Sequence, residues 1–213
     1  MYTHTAETQA TVTPARALEF LMDGNQRFLA NLRANRDLRA QQKSTSDGQW
    51  PFAVILGCID SRVPAELVFD QGIGDIFSVR IAGNCITNEI LGSLEFSCKV
   101  AGAKLVVVMG HSHCGAIKGA CDDVKLGNVT SLMDKLKPSV KATTEPTASS
   151  ARNSSNPAFV QAVAVNNVHG MRKRLLEESD VLREMRDSGQ IDVVSAMYDI
   201  ETGVVELLDA VVA

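Results

Sequence analysis

The sequence predicts an α/β fold built on a mainly parallel sheet, and three observations carry that prediction. Short apolar runs recur at residues 52–57, 76–80 and 105–110, the first and last ending in glycine. Uninterrupted apolar runs of that length are how strands covered on both faces read. Helical stretches lie between them, and strands alternating with helices favour right-handed crossovers and a doubly wound sheet. Two clusters of chemically reactive residues follow directly on the first and third runs.

The elements can be justified in order. Leu18, Leu21, Met22, Phe28, Leu29 and Leu32 recur mostly at three- and four-residue steps, which predicts an N-terminal helical arm over about residues 14–34. Residues 36–48 are polar and read as a loop or a loose helix end. The strand at 52–57 follows, then helical stretches over about 65–70 and 88–100 on either side of the strand at 76–80. Residues 137–156 are rich in Ser, Thr, Pro, Ala and Asn and read as a connecting loop. Pro157 then opens a helix to about residue 179, proline being favoured in a first helical turn. Residues 191–200 and 204–208 flank Glu201-Thr202-Gly203, which predicts a terminal hairpin.

A chain of 213 residues with 45% hydrophobic residues is long enough for one sizeable core, so residues 1–213 are expected to form a single domain. The net charge of −4, with no basic run, gives no reason to expect a nucleic-acid or anionic-membrane partner. The apolar stretch near residue 55 is too short to span a bilayer. The first eight residues lack a basic region followed by an apolar core, so a cytoplasmic location is expected. Five cysteines, an odd number, do not read as a disulfide framework, and reduced thiols are expected.

The first reactive cluster is Cys58-Ile59-Asp60-Ser61-Arg62, and the second is Gly110-His111-Ser112-His113-Cys114-Gly115. Sites in open α/β sheets form where the chain leaves the carboxyl ends of strands, which is where both clusters stand. If the two strands are neighbours, Cys58, His111 and Cys114 converge. Two thiolates and an imidazole suit zinc, and three protein ligands leave a fourth position open, as in catalytic rather than structural sites. No other cysteine repeats a short ligand spacing with a partner. Cys85, Cys98 and Cys121 read as packing thiols.

These two clusters, some fifty residues apart, resemble the β-class carbonic anhydrases. The resemblance extends from Gly24-Asn25-Gln26-Arg27-Phe28 to the C-terminal strand and includes Glu95-Phe96. It implies a single α/β domain with a four- or five-stranded, mainly parallel sheet, assembled as a homodimer or homotetramer. It also implies Zn2+ and a lyase activity, the reversible hydration of CO2 to bicarbonate and a proton through zinc-bound hydroxide.

By the same resemblance, Asp60 and Arg62 form an ion-paired catalytic dyad, with Asp60 able to become a fourth zinc ligand in a closed state. Gln49, nine residues before Cys58, matches a glutamine that binds substrate across a dimer interface, and Phe77, Ala82 and Gly83 match positions lining the CO2 pocket. A branch of the family gated by bicarbonate carries Trp three residues before its first ligand, where this chain has Ile55, so such gating is not expected. His113, between two ligands, is expected in a supporting or surface role, with proton shuttling as the alternative. His4 and His169 read as structural or solvated.

The ligand set leaves two rival functions open. Hydrolysis of carbon disulfide or carbonyl sulfide uses the same ligands on another linear substrate, and a zinc scaffold would use them without turnover. A dinucleotide-binding enzyme is set aside, because no G-x-G-x-x-G follows a strand.

Overall fold

The computed structural model describes residues 3–208. Its five strands are β1 (Ala53–Gly57), β2 (Ile76–Arg80), β3 (Leu105–His111), β4 (Asp192–Tyr198) and β5 (Val205–Leu207). They form one sheet in the order β2-β1-β3-β4-β5, parallel throughout except for β5, which runs antiparallel to β4. The expected mainly parallel, helix-flanked sheet is therefore present, with five strands.

The two-residue period of a strand sends alternate side chains to opposite faces. Ala53, Ile55, Leu105, Val107 and Met109 enter one core, against Ala17, Leu18 and Leu21 of α2 (Pro14–Leu29) and Ala65 and Val68 of α4 (Ala65–Val68). Val54, Leu56, Cys58, Val106 and Val108 enter the other. That second face is covered by α5 (Asn88–Glu95), α6 (Gly115–Cys121), α7 (Gly127–Ala142), α8 (Pro157–Glu178) and α9 (Asp180–Asp187). Gly110 lets α8 approach closely, because a Cβ there would stand 2.6 Å from Val168 Cγ2. β2 is a sheet edge, so its burial alternates, whereas β1 and β3 are buried at every residue.

Several boundaries differ from the sequence expectation. The arm helix ends at Leu29 rather than near residue 34, because Asn31 turns into the left-handed region (φ 54°), and Leu32 is exposed. A short helix, α1 (Ala6–Ala10), precedes it, and the polar stretch holds α3 (Leu38–Ser44), capped by the Asp37 side chain on the Ala40 N–H. The expected loop at 137–156 begins as the last turns of α7, with Pro138 inside the helix. Proline removes one helical hydrogen bond; here the burial of Met133, Leu136 and Ser139 holds the helix together across it. α9 was not foreseen in the sequence. The terminal hairpin forms as expected, with Gly203 at φ 80° in its turn. Among the described residues no helix is long and apolar enough to cross a membrane.

Asp70 ties the arm to the sheet. Its carboxylate accepts from Arg27 Nε (2.5 Å), Arg36 Nη1 (2.7 Å) and the Ala34 N–H (3.1 Å), and its side chain is 7% exposed. Burial opposes ionisation, but those donors outweigh it and hold the carboxyl below its ordinary range. A depressed pKa contributes stability that is complete above the unfolded value of about 3.9 and is lost as the pH falls through the folded one. Asp70→Asn should therefore destabilise the fold by about 3–5 kcal/mol at pH 7. In urea unfolding the gap from the parent protein should narrow as the pH falls below about 4, where the unfolded parent's carboxylate takes up a proton, and close as the pH passes the lower folded value; a gap independent of pH would contradict this account.

Candidate metal centre

β1 and β3 are adjacent and parallel, with Leu56 level with Val108, so the segments leaving their carboxyl ends meet. Cys58 follows β1 on the face of Val54 and Leu56. His111 closes β3, and the chain then reverses through His113 in the left-handed region (φ 57°), bringing Cys114 back as the N-cap residue of α6. The two sulfurs stand 4.0 Å apart, and the ligand atoms of Cys58, His111 and Cys114 all lie within 4.8 Å of one another. All three residues are buried.

His111 Nδ1 lies 2.8 Å from the Ser112 carbonyl oxygen. A proton on Nδ1 makes that contact a hydrogen bond and leaves Nε2 as a lone pair, the form in which histidine binds metals. Nε2 is itself buried and, among the described residues, without a hydrogen-bond partner. A buried, unpaired imidazole nitrogen is costly unless something occupies its lone pair. Tetrahedral zinc, with Zn–S near 2.3 Å and Zn–N near 2.0 Å, spaces neighbouring ligand atoms roughly 3.5–3.8 Å apart. The donor set and its spacing fit such an ion.

The thiols are already unequal. Cys58 is pulled well below the usual thiol range, first by the hydrogen bond from Cys114 and further by His111 and the Gly83 N–H, against the cost of burial. Cys114 is pushed up by that shared bond and by burial. Burial alone pushes Cys98 up to about 12. Cys85 and Cys98 are buried and Cys121 is half-buried, with all five cysteines free.

Beside the ligands, Asp60 and Arg62 form a two-point pair: Arg62 Nε donates to Oδ1 at 2.9 Å and Nη2 to Oδ2 at 2.7 Å, with the Arg62 N–H also on Oδ1 at 3.0 Å. Arg62 thereby holds Asp60 far below the carboxylate range. Asp60 Oδ2 is 3.9 Å from His111 Nε2, so the carboxylate borders the ligand group.

A sequence profile described as carbonic anhydrase matches residues 53–205. The chain belongs to the β-class carbonic anhydrases. It is 32% identical over 202 residues to carbonic anhydrase 2 of Mycobacterium tuberculosis, covering 92% of this chain and 93% of that one. Among solved structures, the fold is similar to the β-carbonic anhydrase CafA of Aspergillus fumigatus, with a TM-score of 0.73 at 24% identity over 90% of each chain. It is also similar to a β-carbonic anhydrase of Sordaria macrospora, one of two described as tetrameric, with a TM-score of 0.68 at 22% identity over 91% of this chain and 97% of that one.

The remaining expected site residues divide by position. Gly83 is beside the ligands, its N–H 3.3 Å from Cys58 Sγ, and Ala82 precedes it, half-buried. Gln49 and Phe77 stand toward the other end of the sheet. β1 alone separates Gln49 from Cys58 by about 17 Å at 3.3 Å per residue, and Phe77 pairs with Val54 near the start of β1. Gln49 is exposed in a small cavity with Thr45, Asp47 and Ile73. Ile55 is buried in the core of the opposite face from Cys58. His113 points outward, with Nε2 3.0 Å from Glu201 Oε1.

Arg80 was missed in the sequence. Its Nε donates to the Cys58 carbonyl at 2.8 Å and its Nη2 to the Asp60 carbonyl at 2.6 Å, bracing the backbone of the ligand loop. The available signal was a charged residue closing an apolar strand.

The metal-loaded protein should carry one equivalent of divalent metal per chain by elemental analysis. Cys58→Ser, His111→Ala and Cys114→Ser should each lose most of it, and Cys98→Ser should keep it. A full equivalent retained by His111→Ala would remove that residue from the ligand set.

Proposed function

We propose that this chain is a zinc-dependent carbonic anhydrase that hydrates CO2 reversibly to bicarbonate and a proton. The observation that carries the reading is a three-ligand Cys-His-Cys group bordered by a carboxylate locked in place by arginine. A structural site would close with a fourth cysteine or histidine and would have no use for that pair. Cys58, His111 and Cys114 would hold the zinc ion, which when bound would lower the pKa of water toward about 7 and so supply a nucleophile near neutral pH.

The protein's own residues then set direction and surroundings. Asp60, kept ionised by Arg62, is an acceptor at all ordinary pH values. Its oxygen takes a hydrogen bond from the nucleophile and turns the remaining lone pair toward the carbon of CO2. Because Arg62 fixes both carboxylate oxygens, the aim is set before substrate arrives. This is the Arg62-paired arrangement, with both carboxylate oxygens of Asp60 engaged by Arg62; Asp60 as a fourth ligand would compete with that pairing.

Gln49 and Phe77 are too far along the sheet to serve the centre of their own chain, which supports their acting at the centre of a second copy in a homodimer or homotetramer. There Gln49 donates a hydrogen bond to a substrate oxygen and Phe77 supplies apolar wall for CO2, facing the Ala82 that stands beside that copy's own ligands. Gly83 contributes its backbone N–H on Cys58. The five free thiols fit a reducing, cytoplasmic setting.

Stopped-flow CO2 hydration should show turnover that is lost on chelation and regained with zinc. Asp60→Asn should lower kcat/KM by about 100-fold, in the range expected for a positioned proton acceptor, while retaining its zinc. Metal-loaded protein with no CO2 turnover between pH 6 and 9 would sink the assignment and send the same protein to carbon disulfide and carbonyl sulfide.

Subunit mixing tests the second copy. Gln49→Ala and His111→Ala chains, each weak alone, should regain activity when refolded together, since one mixed site then has both a complete ligand set and an intact glutamine. Additive residual activities would leave Gln49 outside the site.

A further inference from the structure

α8 carries two consecutive asparagines, and one of them sits where a helix buries its apolar stripe. Asn167 is 0% exposed, among Val163, Val168 and Met171 of the same helix. A polar side chain in such surroundings is costly unless its groups are bonded. Asn167 is bonded on both sides. Its Nδ2 donates to the Gly83 carbonyl at 2.9 Å, and its Oδ1 accepts from Ser139 Oγ, on α7, at 3.1 Å. Ser139 is buried as well.

Gly83 is a residue that needs holding. It lies in the left-handed region (φ 68°, ψ 21°), and a Cβ on it would stand 2.7 Å from Leu136 Cδ1. With no side chain, its orientation is set by its two backbone groups. The carbonyl is fixed by Asn167, and the N–H points the other way, to Cys58 Sγ at 3.3 Å. A continuous line of buried hydrogen bonds thus runs from α7 through α8 and Gly83 to the sulfur.

We propose that Asn167 is a positioning residue for the metal centre: by pinning the Gly83 carbonyl it keeps the Gly83 N–H on Cys58 and limits the charge that this thiolate gives to the metal. The inference rests on the reading of Cys58, His111 and Cys114 as a metal site. Its physical logic follows from the donor set. Two thiolates make a metal a weaker Lewis acid than imidazoles do, and an N–H directed at a thiolate draws some of that charge back. Groups beyond the ligands commonly tune metal sites in this way. The alternative is that Asn167 merely joins α7 to α8.

The two are separated by the cobalt-substituted protein, whose thiolate-to-cobalt charge-transfer band reports charge on the sulfur. Asn167→Ala should move that band to longer wavelength, because the thiolate freed of the N–H carries more charge. Ser139→Ala, which frees the far side of the amide, should move the band the same way by less. Asn166→Ala is the structural control: it cuts the 2.8 Å bond from α8 to Thr143 Oγ1, just beyond α7, without touching Gly83. It should lower stability and leave the band in place.

An unmoved band in folded, metal-loaded Asn167→Ala, or an equal shift in Asn166→Ala, would overturn the proposal. Should Asn167→Ala fail to fold, the comparison of Ser139→Ala with Asn166→Ala decides it by the same criterion. The band needs no turnover, so a shift without CO2 hydration would overturn the enzymatic reading alone. The absence of any thiolate–cobalt band in the parent protein would overturn the metal site and this inference with it.

Discussion

The parallel pairing of β1 with β3 is the constraint on which the rest of this molecule depends. Cys58 and His111 are more than fifty residues apart, and nothing local brings them together. Once Leu56 is level with Val108, both strands end side by side and the ligand loops leave from the same edge. A slip by one residue would turn Cys58 to the other face, since strand side chains alternate. The continuous burial of both strands is what makes such a slip expensive.

Around that edge, backbone geometry does much of the work of the site. His113 at positive φ folds the second cluster back so that Cys114 can join His111. Arg80 braces the Cys58 and Asp60 carbonyls from the end of β2, and Gly83 offers its N–H to the sulfur from the following turn. The reactive side chains are few: Cys58 is fixed from another segment by the Gly83 N–H, whereas His111 and Asp60 are held by near neighbours in the chain, Ser112 and Arg62. Preorganisation of this kind lets a small site act without first paying to order itself.

The two faces of the sheet divide the labour. One face packs against the arm and α4, with Asp70 anchoring the arm through Arg27 and Arg36. The other packs against α5 to α9 and carries the cysteines, so Cys58 and Cys114 are rooted in the larger of the two cores. Gln49 and Phe77 lie toward the opposite end of the strands from the Cys-His-Cys group.

The sequence by itself determined the strand cores, the sheet type and the three residues of the Cys-His-Cys group, because these rest on apolar runs and residue types that carry their meaning locally. It also determined the Asp60–Arg62 pair, whose partners are two residues apart. Tertiary structure decided what depends on packing. The arm helix stops at Leu29, although its apolar spacing runs on to Leu32, because a left-handed residue at Asn31 turns the chain away from the core. The Ser- and Pro-containing stretch after Lys137 begins as helix because Met133, Leu136 and Ser139 are buried on one face of α7. Arg80 and Asn167 were unreadable as parts of the site: each acts on a backbone carbonyl brought near by the fold, 22 and 84 residues away in the chain. A hydrogen bond to a main-chain atom leaves no mark on the identity of its partner, so sequence alone cannot display it.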